Sequence, residues 1–493
     1  MNKQLKHVSR AVFVMFLALF VALTTIQVVN ADSLRAHELN RRTLLNSYQV
    51  ERGSILVENT PIAISVPSDD EYRFYRQYPQ GELYAPITGY FSHYQGSTGI
   101  ESALNKQLSG TAENQFFTRI GRILSGQDPQ GSSVQLTINP AAQQAAADAL
   151  KDLKGAVVAM DPTTGEILAL ASSSSYDPNL LSGHDNATII ENYQQLLEDP
   201  NQPLANRAIA GDLYVPGSTF KILTTAAALE SGKYNLQSTF PDPASYQLPN
   251  STVSVHNAWN GVCGDGNQAS LETAFIKSCN IPFAELTNQM DASALPQIAS
   301  KFGFEQQLEI PLQVTPSSIG KPVDGAQLAL TSIGQFDVRV TPLQMASVTA
   351  AVVNQGERVQ PNLVRDIITP DLRSEYTYRT ESLGQAVKPE TAAALKSVMT
   401  KSVTDPQGLA HQAAIANATV GGKTGTAEVG LDANGNPLPY NLWFTGFAER
   451  GNKKVVVAVV VEESGGPLHN YQAGSSGLPT IIGKQVMEAV LGQ

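Results

Sequence analysis

The sequence predicts an α+β protein, with one antiparallel sheet built from both ends of a domain and helices between, and three observations predict it. Strand-like runs stand near residues 134–171 and return at 419–462, while the span between, roughly 189–400, reads mainly helical; that order is α+β. Residues 72–131 are rich in Tyr, Gly and Gln, lack strong periodicity, and read as a small irregular domain ahead of the sheet. Residues 11–29 form one apolar stretch that reads as a transmembrane helix.

The apolar stretch is AVFVMFLALFVALTTIQVV. At the rise of an α-helix its length spans about 29 Å, near the thickness of a bilayer core. Lys3, Lys6 and Arg10 precede it. Positive charge is retained on the cytoplasmic side, so residues 1–10 are expected as a cytoplasmic tail and the remainder as extracytoplasmic. The rival reading is a cleaved signal peptide, because the densest run, 11–23, is short and Val29-Asn30-Ala31 imitates a cleavage site. Apolar character continuing past Leu23, and a Val29 larger than the alanine preferred there, favour an uncleaved anchor. Both readings export the rest of the chain.

A polar helical stretch with Arg41 and Arg42 is expected over 32–48, and a β-like segment at Arg52-Gly53-Ser54-Ile55-Leu56-Val57. Residues 32–133 are expected as an N-terminal pedestal, and the pattern changes near Gly131 into a main domain at 134–493. Residues 134–138 alternate like a strand, and a helix with proline at its start is expected over 140–153. The runs 155–161 and 166–171 around Pro-Thr-Thr-Gly read as a hairpin. Strands are expected again at 419–428, 442–448 and 454–462.

Composition excludes several classes. A net charge of -11, without a long basic run in the body of the chain, argues against a nucleic-acid partner. Two cysteines are too few for a thiolate zinc site and the 7 histidines are scattered, so no metal and no cofactor is expected.

The sharpest local feature is Ser218-Thr219-Phe220-Lys221 after Pro216-Gly217, opening a helical run. Side chains three apart meet on one helix face. A serine hydroxyl needs a base to become a nucleophile, and a lysine is such a base when burial lowers its pKa. Alone the spacing is weak: Ser-x-x-Lys arises by chance about once in a chain this long. Ser318-Ile319-Gly320-Lys321 is a second match, better read as a loop because a proline follows and helix signals are missing. The bland reading of Ser218 is a helix N-cap with a solvated lysine one turn on. Two further motifs outweigh it. Ser278-Cys279-Asn280 and Lys423-Thr424-Gly425-Thr426 follow in that order, and the second lies in a strand context.

These motifs resemble the penicillin-binding protein and serine β-lactamase superfamily, which carries Ser-x-x-Lys, Ser-x-Asn and Lys-Thr-Gly in sequence. The resemblance covers residues 134–493, including GAVVAMDPTTGEILALAS, SIGQFDVRVTPLQMA and LWFTGFAE; Phe336 departs, standing where many relatives have glycine. ERGSILVEN and STGIESALNKQLSG resemble upstream segments of class B penicillin-binding proteins, so the whole chain resembles their compact actinobacterial group. The resemblance implies a transpeptidase domain with a sheet flanked by helices and a helical subdomain, over a dimerisation-like pedestal.

It implies, further, a D,D-transpeptidase acting on peptidoglycan stem peptides and acylated by β-lactams. Ser218 would be the nucleophile and Lys221 its base. Ser278 would relay a proton, Asn280 would hold the substrate amide and Lys221, and Lys423 would supply positive charge. Thr424, Gly425 and Thr426 would line the carboxylate site, with the N–H groups of Ser218 and Thr426 as oxyanion hole. Trp443 reads either as a cleft wall or as a core aromatic. A membrane-embedded glycan polymerase is the partner implied. Rival functions are a D,D-carboxypeptidase or β-lactamase, with water as acceptor, and a non-catalytic penicillin sensor or scaffold. Cys263 and Cys279 are expected to form a disulfide, since export permits it and they are the only two; the rival is a pair of free thiols.

Overall fold

Lys453–Glu462 is apolar at seven successive positions, 455–461, because both of its faces are covered. In the computed structural model it is the central strand of a five-stranded antiparallel sheet. Its neighbours are Lys154–Met160 (β1), Ile167–Ser173 (β2), Thr419–Ala427 (β3) and Asn441–Arg450 (β4), Lys453–Glu462 itself being β5; the spatial order is β3-β4-β5-β1-β2. The structure describes every residue except 1, 31–33, 35–48, 71, 113–120, 122–125, 127, 129, 212, 309, 431–437, 463–476 and 493. The helical stretch expected at 32–48 therefore lies outside the described residues, apart from Leu34.

The alternation of β5 divides two cores. Val455, Val457, Val459 and Val461 pack with Ala142 and Ala146 of helix Pro140–Ala149 and with Val486 and Met487 of helix Leu478–Leu491. Val456, Ala458 and Val460 pack on the opposite face with Met345 and Val348 of helix Pro342–Val353. Each fully buried valine contributes about 1.5–3 kcal/mol. The sheet is thus a rigid plate, and β3, which carries Lys423-Thr424-Gly425, is its edge.

Two expectations change. Ser133–Leu136, read as the opening strand of the main domain, pairs in parallel with Ile55–Val57 and antiparallel with Val364–Ile368. It lies within a second, six-stranded sheet that runs from Ser374–Thr377 to Phe74–Gln77, so the pedestal is sewn to the domain by hydrogen bonds. The middle of the chain also holds short strands among its helices, such as Thr239–Pro241 paired with Gln268–Ser270. Strands of two to five residues are too short to show a period of two in sequence.

In the pedestal, Arg52 and Arg76 each donate from Nε to Glu101 at 2.6 Å, all three side chains buried. Burial alone would raise the Glu101 carboxyl, but the two guanidinium groups hold it below its ordinary value. This cluster joins the two upstream segments on which the class B resemblance rests. At the N-terminus, helix Asn2–Thr24 and the π-helical turn Thr25–Val29 make one rod whose span Lys3–Val29 is long and apolar enough to cross a membrane.

Candidate active site

Ser218 lies in a 3-10 turn, Gly217–Phe220, that runs into helix Lys221–Glu230. Gly217, Thr219 and Phe220 are buried while Ser218 is partly exposed, so the hydroxyl is reachable on an otherwise closed turn. The turn lies directly against β3. Gly217 has φ +53, and a Cβ there would come within 2.5 Å of Thr426 O; a Cβ on Gly425 would meet Pro216 O at 2.8 Å and Thr219 N at 3.0 Å. Only glycines allow this approach.

Lys221 is 0% exposed, whereas Lys321, in the other Ser-x-x-Lys match, is exposed. The Lys221 Nζ donates to Ser278 O at 2.9 Å and to Asn280 Oδ1 at 2.7 Å. Burial, and after it the charge of Lys423, hold Lys221 well below the ordinary lysine value. Lys423, 1% exposed, donates from Nζ to Ser278 Oγ at 2.7 Å and to Thr424 O at 3.0 Å. Burial brings it down to about 7. Among the described residues neither lysine has a carboxylate within ion-pair distance. The rings of Phe283 and Phe275 stand 5.3 Å and 5.6 Å from the two ammonium nitrogens. The result is a pair of desolvated amines, both held below the ordinary lysine value, with Lys423 titrating near neutral pH.

The second motif sits between two helices, Leu271–Ile276 and Ile281–Gln289. Ser278 adopts φ +59, the left-handed region, and this reverses the chain so that Ser278 Oγ faces Lys423 while Ser278 O faces Lys221. Cys279 is bonded to Cys263, with Cα atoms 6.4 Å apart. Along β3, Thr424 is buried and Thr426 exposed. Thus Ser218, Lys221, Ser278, Asn280, Lys423, Thr424, Gly425 and Thr426 come from three distant stretches of chain and meet where the helix start abuts the sheet edge.

Trp443 does not line the cleft. It is fully buried, donates from Nε1 to Val215 O at 2.9 Å and stacks edge-on with Tyr214, so it supports the turn before Ser218 from behind. Phe336, the departure from the family pattern, has φ +59, a conformation that suits the glycine found in relatives. Sequence reasoning missed Phe275 and Phe283, which lie three residues before Ser278 and three after Asn280; that helical spacing was the available signal. It also missed Asn257, whose Oδ1 accepts from Asn280 N at 2.7 Å.

A buried-lysine serine site on the rim of an α+β sheet defines an acyl-transferring enzyme of the active-site-serine, penicillin-recognising kind. The chain belongs to the class B penicillin-binding proteins: residues 155–488 match the penicillin binding protein transpeptidase domain, and residues 52–134 match the penicillin binding protein A dimerisation domain. It is 41% identical over 497 residues to the peptidoglycan D,D-transpeptidase PbpA of Mycolicibacterium smegmatis, covering 100% of this chain and 99% of that protein. It is similar in fold to penicillin-binding protein A from M. tuberculosis. The ceftriaxone acyl-enzyme complex of that protein matches with a TM-score of 0.85 at 39% identity, over 91% of this chain and 100% of that one. Its penicillin G acyl-enzyme complex matches with a TM-score of 0.82 at 39% identity, over 90% and 100%.

Proposed function

We propose that this chain is a peptidoglycan D,D-transpeptidase in which Ser218 carries the acyl group. The observation that carries the reading is the convergence of two buried lysines, with no carboxylate in ion-pair range among the described residues, on the Ser278–Asn280 turn beside a partly exposed Ser218. Ser218 Oγ attacks the carbonyl carbon of the penultimate D-Ala in a stem peptide ending D-Ala-D-Ala. Neutral Lys221 Nζ takes the hydroxyl proton. The tetrahedral oxyanion is held by the N–H groups of Ser218 and Thr426. As the C–N bond breaks, the departing D-Ala amine receives a proton through Ser278 Oγ, backed by Lys423. An amine from a neighbouring stem then attacks the ester, Ser218 recovers its proton, and the cross-link amide remains. Asn280 holds Lys221 and the substrate amide, while Lys423, Thr424 and Thr426 receive the terminal carboxylate. A β-lactam ring opens by the same attack, but its amine stays tethered, so the acyl-enzyme persists.

The N-terminal rod anchors the chain in the cytoplasmic membrane, with residues 1–10 inside, 11–29 spanning, 32–133 as pedestal and 134–493 as catalytic domain outside. The charge of Lys3, Lys6 and Arg10 and the disulfide both support that orientation. A membrane-embedded glycan polymerase supplies the strands to be joined. The test is the full-length protein in detergent with polymerised lipid-linked precursor, read by mass spectrometry. Cross-linked dimers that vanish in Ser218→Ala support the reading; hydrolysed stems alone would make the chain a carboxypeptidase.

A further inference from the structure

Helix Ile281–Gln289 begins at Asn280, the position where an asparagine side chain normally caps the free N–H groups of the first turn. Here it does not: Asn280 Oδ1 accepts from Lys221 Nζ at 2.7 Å and its Nδ2 donates to His256 O at 2.9 Å. A second asparagine takes over the cap. Asn257 Oδ1 accepts from Asn280 N at 2.7 Å and from Ile281 N at 3.3 Å, and the next residue, Pro282, has no N–H to satisfy.

The Asn257 amide has only one orientation that works. Its Nδ2 donates to Asp242 Oδ1 at 2.8 Å and to Gly261 O at 2.9 Å, both of them acceptors, so its oxygen must face the helix. Asp242 is itself fixed. Its Oδ2 accepts from the N–H of Cys263 and from that of Gly264, and Cys263 is bonded to Cys279, the residue before Asn280. Asp242 is 0% exposed and Asn257 1%, in a loop whose neighbours Trp259 and Val262 face solvent. Two buried polar side chains under an exposed loop form a network in which every donor is met.

We infer that Asn257, oriented by Asp242, is a positioning residue for catalysis: it takes over the helix cap and thereby leaves the Asn280 side chain to hold Lys221. The inference rests on Asn280 and Lys221 serving as proposed above. Asn257→Asp turns a donor into a carboxylate facing Asp242, which repels it, and the side chain at 257 rotates away from the helix. Adding Asp242→Asn exchanges the two side chains: the residue at 242 then donates to the one at 257, whose other oxygen can again accept from Asn280 N.

The experiment measures the second-order rate of acylation by fluorescent penicillin and the thermal midpoint of full-length protein for the parent, Asn257→Asp, Asp242→Asn and the exchanged double variant. A crystal structure of the single variant accompanies them. Expected are an acylation rate lower on the order of 100-fold in Asn257→Asp, recovery of at least about tenfold in the double variant, and a Lys221–Asn280 separation beyond about 3.5 Å in the single variant. A purely structural role would lower rate and midpoint together without recovery in the exchange; that outcome, or an unchanged acylation rate, overturns the inference. A parent protein that penicillin does not acylate would count against Ser218 as nucleophile, and the Lys221–Asn280 separation in the crystal would still decide the role of Asn257.

Discussion

Lys423 donates from Nζ to Ser278 Oγ at 2.7 Å, while the carbonyl of the same serine accepts from Lys221 at 2.9 Å, so one residue in a left-handed turn holds two buried amines apart. Burial opposes the charging of both amines, and the charge of Lys423 further opposes that of Lys221.

This sets the pH profile. Lys221 works as a base when neutral, so acylation should rise with pH through its lowered pKa. Lys423 works when charged, so acylation by a carboxylate-bearing penicillin should fall as pH rises through about 7. The second-order rate should be bell-shaped. Lys423→Arg keeps its charge at any accessible pH and should remove the alkaline limb. Lys221→Arg should lower the rate by about 100- to 10,000-fold at every pH, since guanidinium cannot give up its proton. A profile flat across neutrality would refute the assignment.

The same depressed pKa has a stability consequence. A lysine that titrates at about 7 when folded and at 10.5 when unfolded binds fewer protons in the folded state between those values. Its contribution therefore improves as pH rises across that window, and the penalty is complete below it. Lys423→Met should raise the unfolding free energy at neutral pH by at least about 1 kcal/mol, and the thermal midpoint with it, while abolishing acylation. Calorimetry on the two proteins checks both signs.

Gly425 is the close approach that the sheet edge makes to the serine turn. Gly425→Ala places a methyl at 2.8 Å from Pro216 O and 3.0 Å from Thr219 N, backbone atoms that cannot rotate away. The turn must move, with a cost of about 1–3 kcal/mol and a loss of acylation larger than the loss of stability. Stopped-flow acylation beside urea unfolding measures both.

Glu101 should behave oppositely. It answers two buried guanidinium groups in the pedestal, so Glu101→Gln should cost about 3–5 kcal/mol yet leave acylation by penicillin per folded molecule unchanged. Because arginines depress its pKa, its contribution is present above the ordinary carboxylate range and is lost as pH falls through the lowered value.

The central strand, the hairpin and the three motifs were legible because their signals are local: VVVAVVV at 455–461 is apolar throughout, and each motif is at most four residues long. The buried state of Lys221 against the exposed state of Lys321 was not legible, since it depends on strands and helices far away in sequence. Ser133–Leu136 was read as a strand but placed in the wrong sheet, because its parallel partner Ile55–Val57 is joined to it only through the long pedestal. Asn257 carried no signal at all: an asparagine in a polar loop is ordinary, and its importance arises only because Asn280 is occupied elsewhere.

The disulfide ties the loop that holds Asn257 to the turn that holds Ser278 and Asn280. Cys263 and Cys279 are 16 residues apart, and closing a loop of that size removes entropy from the unfolded chain worth about 3 kcal/mol. Lys277 adds a second tie, donating to Cys263 O at 2.6 Å. Without the covalent bond, Ser278 is free to leave its left-handed conformation, which a non-glycine residue adopts only when its surroundings impose it. Cys263→Ser should therefore lower the unfolding free energy by about 3 kcal/mol and slow acylation beyond what the folded fraction explains. Alkylation without reductant, followed by mass spectrometry of exported protein, should find neither thiol free. Two alkylated cysteines in that sample, or an acylation rate in Cys263→Ser that simply tracks the amount folded, would mean that the bond does not hold the site.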